Sequence, residues 1–542
     1  MKEPIVIIGS GAAGVHCALT LLQAGCRVQM LDVGQSGSIP PLPNVPISEL
    51  KSQLADPESY FLGKDPNAIR LPGDDGEYYA LPPSKSHVVE SGLATDPRSA
   101  GFSPLVSFAR GGFADAWTGG CYPFDDNDLR DFPIDFAGMQ PFYDEVAKRI
   151  GISGSDDLAS LIPYHDGIQE PLELDPHSEF LLRTYHERVK DKSPGIHLGH
   201  ARSAVISQAT DGRSACSSLG RCLWGCPTSS FYVPSLTLAQ CRTYDSFDYR
   251  PGLRVSHAVC DSTRQVKAVE ATDEQGEKHL FDVGTLVLAA GTLSTSAIYL
   301  RTLEQAGVSE PVLTGLMDNR QIHIPFVTPA LFGQPIAADA YQYHRLAMVV
   351  EDAQLPASCH GQLTTLKAAM THPILQRLPI GLRSAVRMFR NVRSGMGLLN
   401  LSFPETRRSN NRIRLVAQKA DGQQPSLHVA IDYYPPVAER QTHKRVKRQV
   451  RRFMKQLGCH TFGFWNSTRD MGASIHYAGT IPMSATAAPH TVSPSGNSHD
   501  FPNLWIVDAS VFPSLPAKSL TLTTMANSIR TTRLMLESLK SS

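Results

Sequence analysis

The sequence has no excess of charge of either sign, no long hydrophobic run and no framework of closely spaced cysteines. Its 542 residues include 51 basic and 51 acidic side chains, and this balance argues against a nucleic-acid-binding protein or one drawn to anionic membranes. No stretch of 18 or more uncharged apolar residues is present, so no transmembrane helix is predicted. The ten cysteines are scattered, which is typical of thiols in a reducing compartment.

What is present is enough chain for two to four domains with a large core. The 42% hydrophobic content excludes collagen-like and disordered chains, and no internal repeat or low-complexity tract is found. A strand of a nucleotide-binding type begins at about Pro4, so we expect no signal peptide. We therefore expect a cytoplasmic protein whose partner is a small molecule.

The first 32 residues carry the strongest local pattern. An apolar run from Ile5 to Ile8 predicts a strand buried on both faces, and Gly9, Gly11 and Gly14 follow with the spacing G-x-G-x-x-G. A helical pattern then ends at Gly25, and a second apolar run delivers Asp32. Glycines let the backbone approach a pyrophosphate, the helix N-terminus faces that anion, and the acid accepts ribose hydroxyls. The pattern predicts a dinucleotide site but does not choose between NAD and FAD.

The C-terminal segment predicts a second buried strand near the same site. Residues 504–507 are apolar, Asp508 follows them, and a proline-rich turn leads to a helix that begins at about Leu520.

Seven ordered segments resemble the glucose-methanol-choline (GMC) family of FAD-dependent oxidoreductases over nearly the whole chain. They are the N-terminal motif, ARGGFADAWTGG, DFPIDFAGMQPFYDEVAKRIGISG, RPGLRVSHAVCD, VGTLVLAAGTLSTSAIYLRT, the pair NNRIRL and SIHYAGTIPM, and the C-terminal segment. The resemblance implies an α/β fold, in which a Rossmann-like FAD-binding domain is interwoven with an α+β substrate domain that contains an antiparallel sheet. FAD follows as the cofactor.

The resemblance also implies which residues bind the cofactor and how the chain divides. The cofactor-binding residues would be Gly9, Gly11, Ala12, Ala13, Gly14, Asp32, Arg110, Gly111, Gly112, Ala116, Trp117, Thr118, Val255, Ala290, Gly291, Asp508, Ala509, Leu520 and Thr521. The FAD-binding domain would comprise residues 1–50, 95–130, 200–310 and 470–542, and the substrate domain residues 51–94, 131–199 and 311–469.

A strand pattern in the middle of the chain supports a substrate domain. Residues 427–433 alternate apolar side chains with His428, Ala430 and Asp432, which predicts a strand with one solvated face. We expect such a sheet to form a wall of the substrate cavity.

Alcohol oxidation by a flavin requires a group that takes the hydroxyl proton, and histidine suits this task. The segment SIHYAGT resembles the family's histidine-containing segment, which implies that His476 is this base. The family's second catalytic Asn or His is replaced by Ser519. A serine cannot hold a proton at neutral pH, and Ser519 is also a favoured N-cap residue. The neighbouring Lys518 is expected to be solvated.

The mode of cofactor attachment also departs from part of the family. Some sugar oxidases carry a flavin-tethering histidine immediately before the Trp of the glycine-rich segment, whereas here Ala116 precedes Trp117. The resemblance therefore implies non-covalent FAD.

Two basic stretches interrupt the neutral balance. Residues 437–457 contain eight basic side chains and one acid around an apolar stripe, which predicts an amphipathic helix. Its cationic face is either a solvated surface or a docking site for an anionic carrier, a phosphorylated substrate or a lipid surface. Residues 378–393 predict a second such helix, which is a surface helix, a lid or an interfacial helix.

A cluster of three cysteines is a candidate metal site. Cys216, Cys222 and Cys226 lie within 11 residues, but the spacing is not C-x2-C and no fourth cysteine is near. We expect a packed thiol turn and no metal.

Two functions compete on this fold. The first is oxidation of a hydroxyl group on a sugar-like or secondary-metabolite substrate, with hydride transfer to flavin N5 and His476 as base. The second is a redox-neutral flavoenzyme, a lyase, isomerase or cyclase, which the replacement at Ser519 motivates. The substrate's identity, the electron acceptor and the oligomeric state are not encoded in any motif.

Overall fold

The computed structural model describes residues 4–37, 42–69, 79, 81–89, 99–210, 212–367, 371–376, 378–418, 426–435 and 439–541. The β-strands within this part of the chain are β1 Ile5–Ile8, β2 Val28–Leu31, β3 Ile152–Ser153, β4 Ile168–Gln169, β5 Ile196–His200, β6 Phe247–Arg250, β7 Arg254–Cys260, β8 Val266–Thr272, β9 Lys278–Asp282, β10 Thr285–Leu288, β11 Val312–Thr314, β12 Gln321–Val327, β13 Leu346–Val350, β14 Cys359–Thr365, β15 Met396–Ser402, β16 Glu405–Thr406, β17 Arg412–Gln418, β18 Ser426–Asp432, β19 His460–Thr461, β20 Ser467–Thr468, β21 Leu504–Ile506 and β22 Ser514–Leu515.

The α-helices of the same residues are α1 Ala12–Gln23, α2 Ile47–Gln53, α3 Pro57–Leu62, α4 Phe136–Ile150, α5 Pro176–Thr184, α6 Pro234–Cys241, α7 Thr292–Gln305, α8 His372–Gln376, α9 Leu382–Val392, α10 Glu439–Gln456 and α11 Thr521–Ser541. None of them is both long and apolar enough to cross a lipid bilayer, judged over the described residues.

A five-stranded parallel sheet gathers strands from distant parts of the chain. Its order is β21-β10-β1-β2-β6, and every neighbouring pair is parallel. All four residues of β1 and of β10 are buried, as expected for strands covered on both faces. Helix α1 follows β1, α7 follows β10, and α11 lies C-terminal to β21. All three contribute to the cores around this sheet, so the predicted α/β fold is confirmed.

A seven-stranded antiparallel sheet forms the second layer near the site. Strands β19, β12, β15, β14, β13 and β5 follow one another in this order, and β20 also pairs with β12. One face is apolar because alternate side chains of β12, β13, β14 and β15 join a core with α5 and α10. The resemblance implied such an antiparallel sheet, and the structure contains it.

The strand that we expected to have one solvated face is buried on both. In β18, Val429 and Ile431 are buried as expected, but Ala430 is 0% and Asp432 only 7% exposed. The strand pairs with β17, Ala100 forms a bridge beside Asp432, and Arg412 and Arg414 pair with the Asp432 carboxylate. The side chains of 427 and 428 lie outside the described set. None of the described residues of β17 and β18 lines the large cavity of the candidate site.

The two basic stretches both form amphipathic helices. In α10, Val446, Val450, Phe453 and Met454 are buried against the apolar face of the seven-stranded sheet. Its Arg445 pairs with Asp352 at 2.5 Å, so part of the cationic surface is neutralised locally. In α9, Phe389 is buried whereas Leu382 is 70% exposed. Docking of an anionic carrier at α10 stays a prediction, as does the division of the chain into two domains.

Candidate active site

One large cavity lies at the carboxyl ends of the parallel strands, where α/β sheets bind their ligands. It encloses about 1390 Å³ of empty space, including its open mouth. Its lining joins chain segments that the sequence separates by hundreds of residues. Of the predicted site residues, the cavity is lined by Gly9, Gly11, Ala12, Ala13, Asp32, Gly111, Gly112, Val255, Ala290, Gly291, His476, Asp508, Ala509, Leu520 and Thr521.

At Gly9 and Gly14, around the turn between β1 and α1, there is no space for a side chain. Gly9 has φ +101°, and a Cβ there would come 2.7 Å from the Ala289 carbonyl oxygen; a Cβ on Gly14 would come 1.9 Å from the Gly9 oxygen. Gly11 occupies the N-cap position of α1 without a side-chain cap. The first-turn N–H groups and the positive end of the helix dipole therefore face the cavity, which suits a pyrophosphate.

Asp32 stands at the end of β2 with one carboxylate oxygen already engaged. Ser10 Oγ and Tyr249 Oη both donate to Asp32 Oδ2, the tyrosine at 2.9 Å. Burial raises the pKa of Asp32 to about 6, and these hydrogen bonds oppose that shift. The same Ser10 hydroxyl accepts from the Gly111 N–H at 3.1 Å, which holds residues 110–112 across the glycine turn. These features fit a dinucleotide laid over the turn with its ribose near Asp32.

The N-terminus of α11 forms the other end of the cavity. Leu520, Thr521 and Thr524 line it, and the first helical hydrogen bond runs from the Thr524 N–H to the Leu520 carbonyl. Leu520 therefore holds the N-cap position, so the expectation that Ser519 is the N-cap residue is wrong by one position. Ser519 is 7% exposed in the turn just before the helix.

Lys518 is not solvated, contrary to the expectation from sequence. It is 2% exposed, and its Nζ lies 2.7 Å from Asp125 Oδ2 and 2.6 Å from Asp128 Oδ2. These carboxylates raise the pKa of Lys518 above its ordinary value against the effect of burial. This ion triad connects the turn before α11 to residues 125–128. No local sequence pattern predicts the pairing.

His476 is held in one tautomer by Asn319. The Asn319 Nδ2 donates to the carbonyl oxygens of Phe403 and Pro516, at 2.9 Å and 3.0 Å. Its amide oxygen therefore faces His476 Nδ1, 3.0 Å away. An acceptor at this position requires that Nδ1 carry the proton. His476 Nε2 is thus left with its lone pair, which is what a proton acceptor needs.

The protonation state of His476 favours the same role. Desolvation, and then the positive charge of Arg469, lower the pKa of His476 to about 4. The imidazole is consequently neutral at ordinary pH and is able to take a proton.

The backbone before His476 is fixed by a buried carboxylate. Asp318 is 0% exposed and accepts from the N–H groups of Gly472, at 2.6 Å, and His476, as well as from the Ser474 hydroxyl. Ile475 has φ +64°, an unfavourable conformation for a β-branched residue. Such strain is characteristic of functional sites, where surrounding contacts enforce it.

Several predicted residues lie beside the cavity rather than in its lining. Gly14 packs against the turn, and Trp117 donates from Nε1 to the Tyr232 carbonyl at 2.8 Å. Arg110 lines a smaller neighbouring cavity with Lys85 and Cys226. Ala116, Thr118 and Ser519 also stand outside the lining. Their assignment to the cofactor or to catalysis stays a prediction.

Sequence reasoning missed Asn319 and Asp318, which position His476, and the lining residues Leu105–Ala109, Arg254, Arg301 and Tyr477. Asp318 and Asn319 lie about 157 residues from His476 along the chain, and no short motif links positions that distant. These residues could be identified as part of the site only from the fold.

The three clustered cysteines are free thiols that line a small separate cavity. Cys226 Sγ makes hydrogen-bond contacts with Thr228 and Ser230, at 3.3 Å and 3.1 Å, and hydrogen bonds lower the pKa of this thiol although burial opposes them. Over the described residues no cluster of side chains suited to a metal ion is found.

Comparisons of the sequence with known proteins find similar oxidoreductases. Residues 407–528 match the model of the C-terminal domain of GMC oxidoreductases. The chain is 23% identical to paromamine 6'-oxidase of Streptomyces fradiae, over 98% of this chain and 90% of that protein. It is also 25% identical to 2-methyl-1,2-propanediol dehydrogenase of Mycolicibacterium austroafricanum, over 56% of this chain and 51% of that protein.

Solved structures share the fold over its full length. Pyridoxine 4-oxidase from Mesorbium loti superposes with a TM-score of 0.62 at 15% identity, and covers 99% of both chains. The R554A variant of Aspergillus oryzae formate oxidase superposes with a TM-score of 0.61 at 12% identity, again over 99% of both chains.

The C-terminal match and the similar oxidase and dehydrogenase indicate an FAD-dependent oxidoreductase. Residues 407–528 match the glucose-methanol-choline oxidoreductase model, and the relatives and solved structures above are similar to the chain over most or all of its length. Its cofactor is FAD, and the glycine turn, Asp32 and the two helix N-termini are the groups that would hold it.

Proposed function

We propose that this enzyme oxidises the CH–OH group of a sugar-like or secondary-metabolite alcohol, and that His476 accepts the hydroxyl proton. The observation that carries the proposal is the contact between His476 Nδ1 and the Asn319 amide oxygen at 3.0 Å. It leaves a neutral imidazole with a free Nε2 at the wall of the cavity. The names of two relatives, paromamine 6'-oxidase and 2-methyl-1,2-propanediol dehydrogenase, support an alcohol substrate.

The proton and the hydride leave the substrate in different directions. The alcohol's O–H proton goes to His476 Nε2, and the carbinol C–H leaves with its electron pair, so that a carbonyl product forms. When bound, FAD supplies the acceptor for that hydride. The N-terminus of α11, with its free N–H groups, stabilises negative charge that develops at its end of the cavity.

Ser519 keeps a redox-neutral function open as a second candidate. The position holds no titratable group, and its neighbour Lys518 is committed to Asp125 and Asp128. A lyase, isomerase or cyclase would need one base, His476, and no net electron transfer. Ser519 instead donates a hydrogen bond to the substrate oxygen in the oxidation that we favour.

Anaerobic mixing separates the two functions. The oxidised holoenzyme is mixed with simple alcohols, 1,2-propanediol and 2-methyl-1,2-propanediol, and with sugars, and the flavin absorbance is followed. We expect bleaching with at least one alcohol. Turnover of a substrate while the flavin stays oxidised would establish the redox-neutral function instead.

The state of the cofactor has its own test. Because Ala116 stands before Trp117, we propose that FAD is held without a covalent bond at this position. Acid precipitation should then release the yellow colour into the supernatant, and colour that stays with the pellet would contradict the proposal.

A further inference from the structure

The surface around α9 carries half of the exposed large apolar side chains. In the part of the chain that the structure describes, ten large apolar or aromatic side chains are exposed, and five of them belong to α9 or lie beside it. These five are Ile69, Phe332, Ile380, Leu382 and Met388. Single exposed apolar residues are ordinary, but a cluster of them marks an interaction surface.

Neighbouring segments bring the outlying members of this cluster to α9. Phe332 lies at the C-terminal end of the helix, where the Gly333 N–H donates to the Asn391 carbonyl at 2.8 Å. Ile69 lies beside α8, because its carbonyl accepts from Gln376 Nε2 at 3.2 Å, and α8 contacts α9. The five side chains therefore belong to one region of the surface.

The same region is cationic and its sequence contains no acid. Between Asp352 and Glu405 the chain has six Lys or Arg and no Asp or Glu. Three of these cations, Arg383, Arg387 and Arg390, are exposed on α9. Their spacing of i, i+4 and i+7 places them on one stripe, where like charges repel each other. An anionic partner would relieve this repulsion.

The stripe points away from the protein and has apolar side chains on both sides. Ala385 and Phe389 are the buried residues of α9. At about 100° per residue the three arginines lie opposite this buried side, with Leu382 on one flank and Met388 on the other. Ser394 Oγ donates to the Leu331 carbonyl at 2.6 Å just after the helix, which fixes α9 on the seven-stranded sheet in this orientation.

Helix α10 is also cationic but lacks the apolar part of this arrangement. Its exposed stripe consists of Arg440, Lys444 and Arg448, and none of the ten exposed large apolar side chains of the described residues lies on it. Glu439, at its start, pairs with Arg408 beyond the end of β15, whereas α9 precedes the start of β15. The N-terminal half of α10 thus lies at the opposite end of the sheet, which makes its stripe a matched control.

We infer that α9 docks the enzyme reversibly on an anionic lipid surface. The arginines contact the lipid headgroups, and Ile380, Leu382 and the other apolar side chains enter between them. Cations near an anionic bilayer and apolar side chains at its interface both favour such binding. A bilayer accepts apolar side chains on both flanks of a convex helix, whereas a protein partner would need a groove shaped around it.

Sedimentation of the holoenzyme with lipid vesicles tests the inference. One set of vesicles is phosphatidylcholine alone, and the other contains about 30 mol% phosphatidylserine, both at about 0.1 M NaCl. We expect partitioning onto the anionic vesicles to be at least about tenfold stronger. Equal partitioning onto both sets, or none onto either, would overturn the inference.

Three variants assign the binding to α9. Replacement of Arg383, Arg387 and Arg390 by Gln should weaken partitioning onto anionic vesicles at least about tenfold, and Leu382→Ser at least about threefold. Flavin content and unfolding curves show that each variant is folded. The matched triple replacement of Arg440, Lys444 and Arg448 by Gln should change partitioning less than about twofold.

Other outcomes point to other partners. An equal loss in both triple variants would mean that general charge attraction drives the binding, and would overturn the role of α9. If the wild type ignores anionic vesicles but binds poly-L-glutamate through the α9 arginines, the partner is an acidic protein and the lipid surface is wrong.

Discussion

The five-stranded parallel sheet and the seven-stranded antiparallel sheet contribute different parts of the chain to the site. The parallel sheet contributes backbone: glycines without space for a Cβ, and helix N-termini with free N–H groups. The antiparallel sheet contributes a side chain at its edge: Asn319, two residues before β12, contacts His476 Nδ1. Binding through backbone groups requires glycines at fixed spacings within a short segment, so it produces a recognisable sequence motif. Side chains that come from separate segments produce no such motif.

A substitution at the glycine turn should have the largest effect, which is a loss of bound flavin. In Gly14→Ala the new Cβ would lie 1.9 Å from the Gly9 oxygen, so α1 must move from the turn that faces the cofactor. We expect at least a tenfold loss of flavin per protein, measured by absorbance after purification. Gly381→Ala, where a Cβ meets nothing within 4 Å, is the control. Full flavin content in Gly14→Ala would show that the turn is not the cofactor site.

Loss of the ion triad of Lys518, Asp125 and Asp128 should lower the free energy of unfolding. Lys518→Met leaves Asp125 and Asp128 without their cation, and breaking a buried pair costs about 3–5 kcal/mol. Urea unfolding of the holoenzyme measures this loss, with the exposed Lys540→Met as a control that should change by less than about 0.5 kcal/mol. A loss below about 1 kcal/mol in Lys518→Met would mean that the triad is not a significant contact.

The residue that positions His476 should affect rate and pH dependence together. Asn319→Leu removes the acceptor for His476 Nδ1, and we expect flavin reduction to slow by about 10- to 100-fold. Asn319→Asp keeps an acceptor and adds negative charge, which favours the imidazolium, so the acid limb of the rate profile should move to higher pH. A purely structural role would slow both variants without moving that limb.

Buried neutral histidines predict the smallest effect, a loss of stability in mild acid. Burial lowers the pKa of His16 and of His344 to about 3, so between that value and about 6.5 only the unfolded chain takes up protons. Their contribution is complete above pH 6.5 and falls as the pH falls towards the folded-state pKa. The two together should cost about 1 kcal/mol between pH 7 and pH 6, measured by urea unfolding. A free energy of unfolding that rises as the pH falls from 7 to 6 would contradict the assignment of these histidines as buried and neutral.

The same contrast explains what the sequence could predict. The βαβ unit with Gly9, Gly14 and Asp32 follows from apolar runs and glycine spacing, since each part is local. The placement of His476 followed from a resemblance and was not derivable from spacing.

The errors lie where distant segments meet. The sequence predicts a solvated Lys518, because its partners Asp125 and Asp128 are distant along the chain. The 427–433 strand alternates as if one face were solvated, but the distant Ala100 bridges to Asp432, and both Ala430 and Asp432 are buried. Asn319 carries no local sequence pattern, because its partner His476 is brought to it only by the fold.

The most direct test of His476 as the proton acceptor is the limiting rate of anaerobic flavin reduction in His476→Asn, with the alcohol that reduces the wild type fastest. The account predicts a rate at least about 100-fold lower, with full flavin content and a wild-type unfolding curve. A rate within about threefold of the wild type would contradict it, and the base would then have to be sought elsewhere in the cavity.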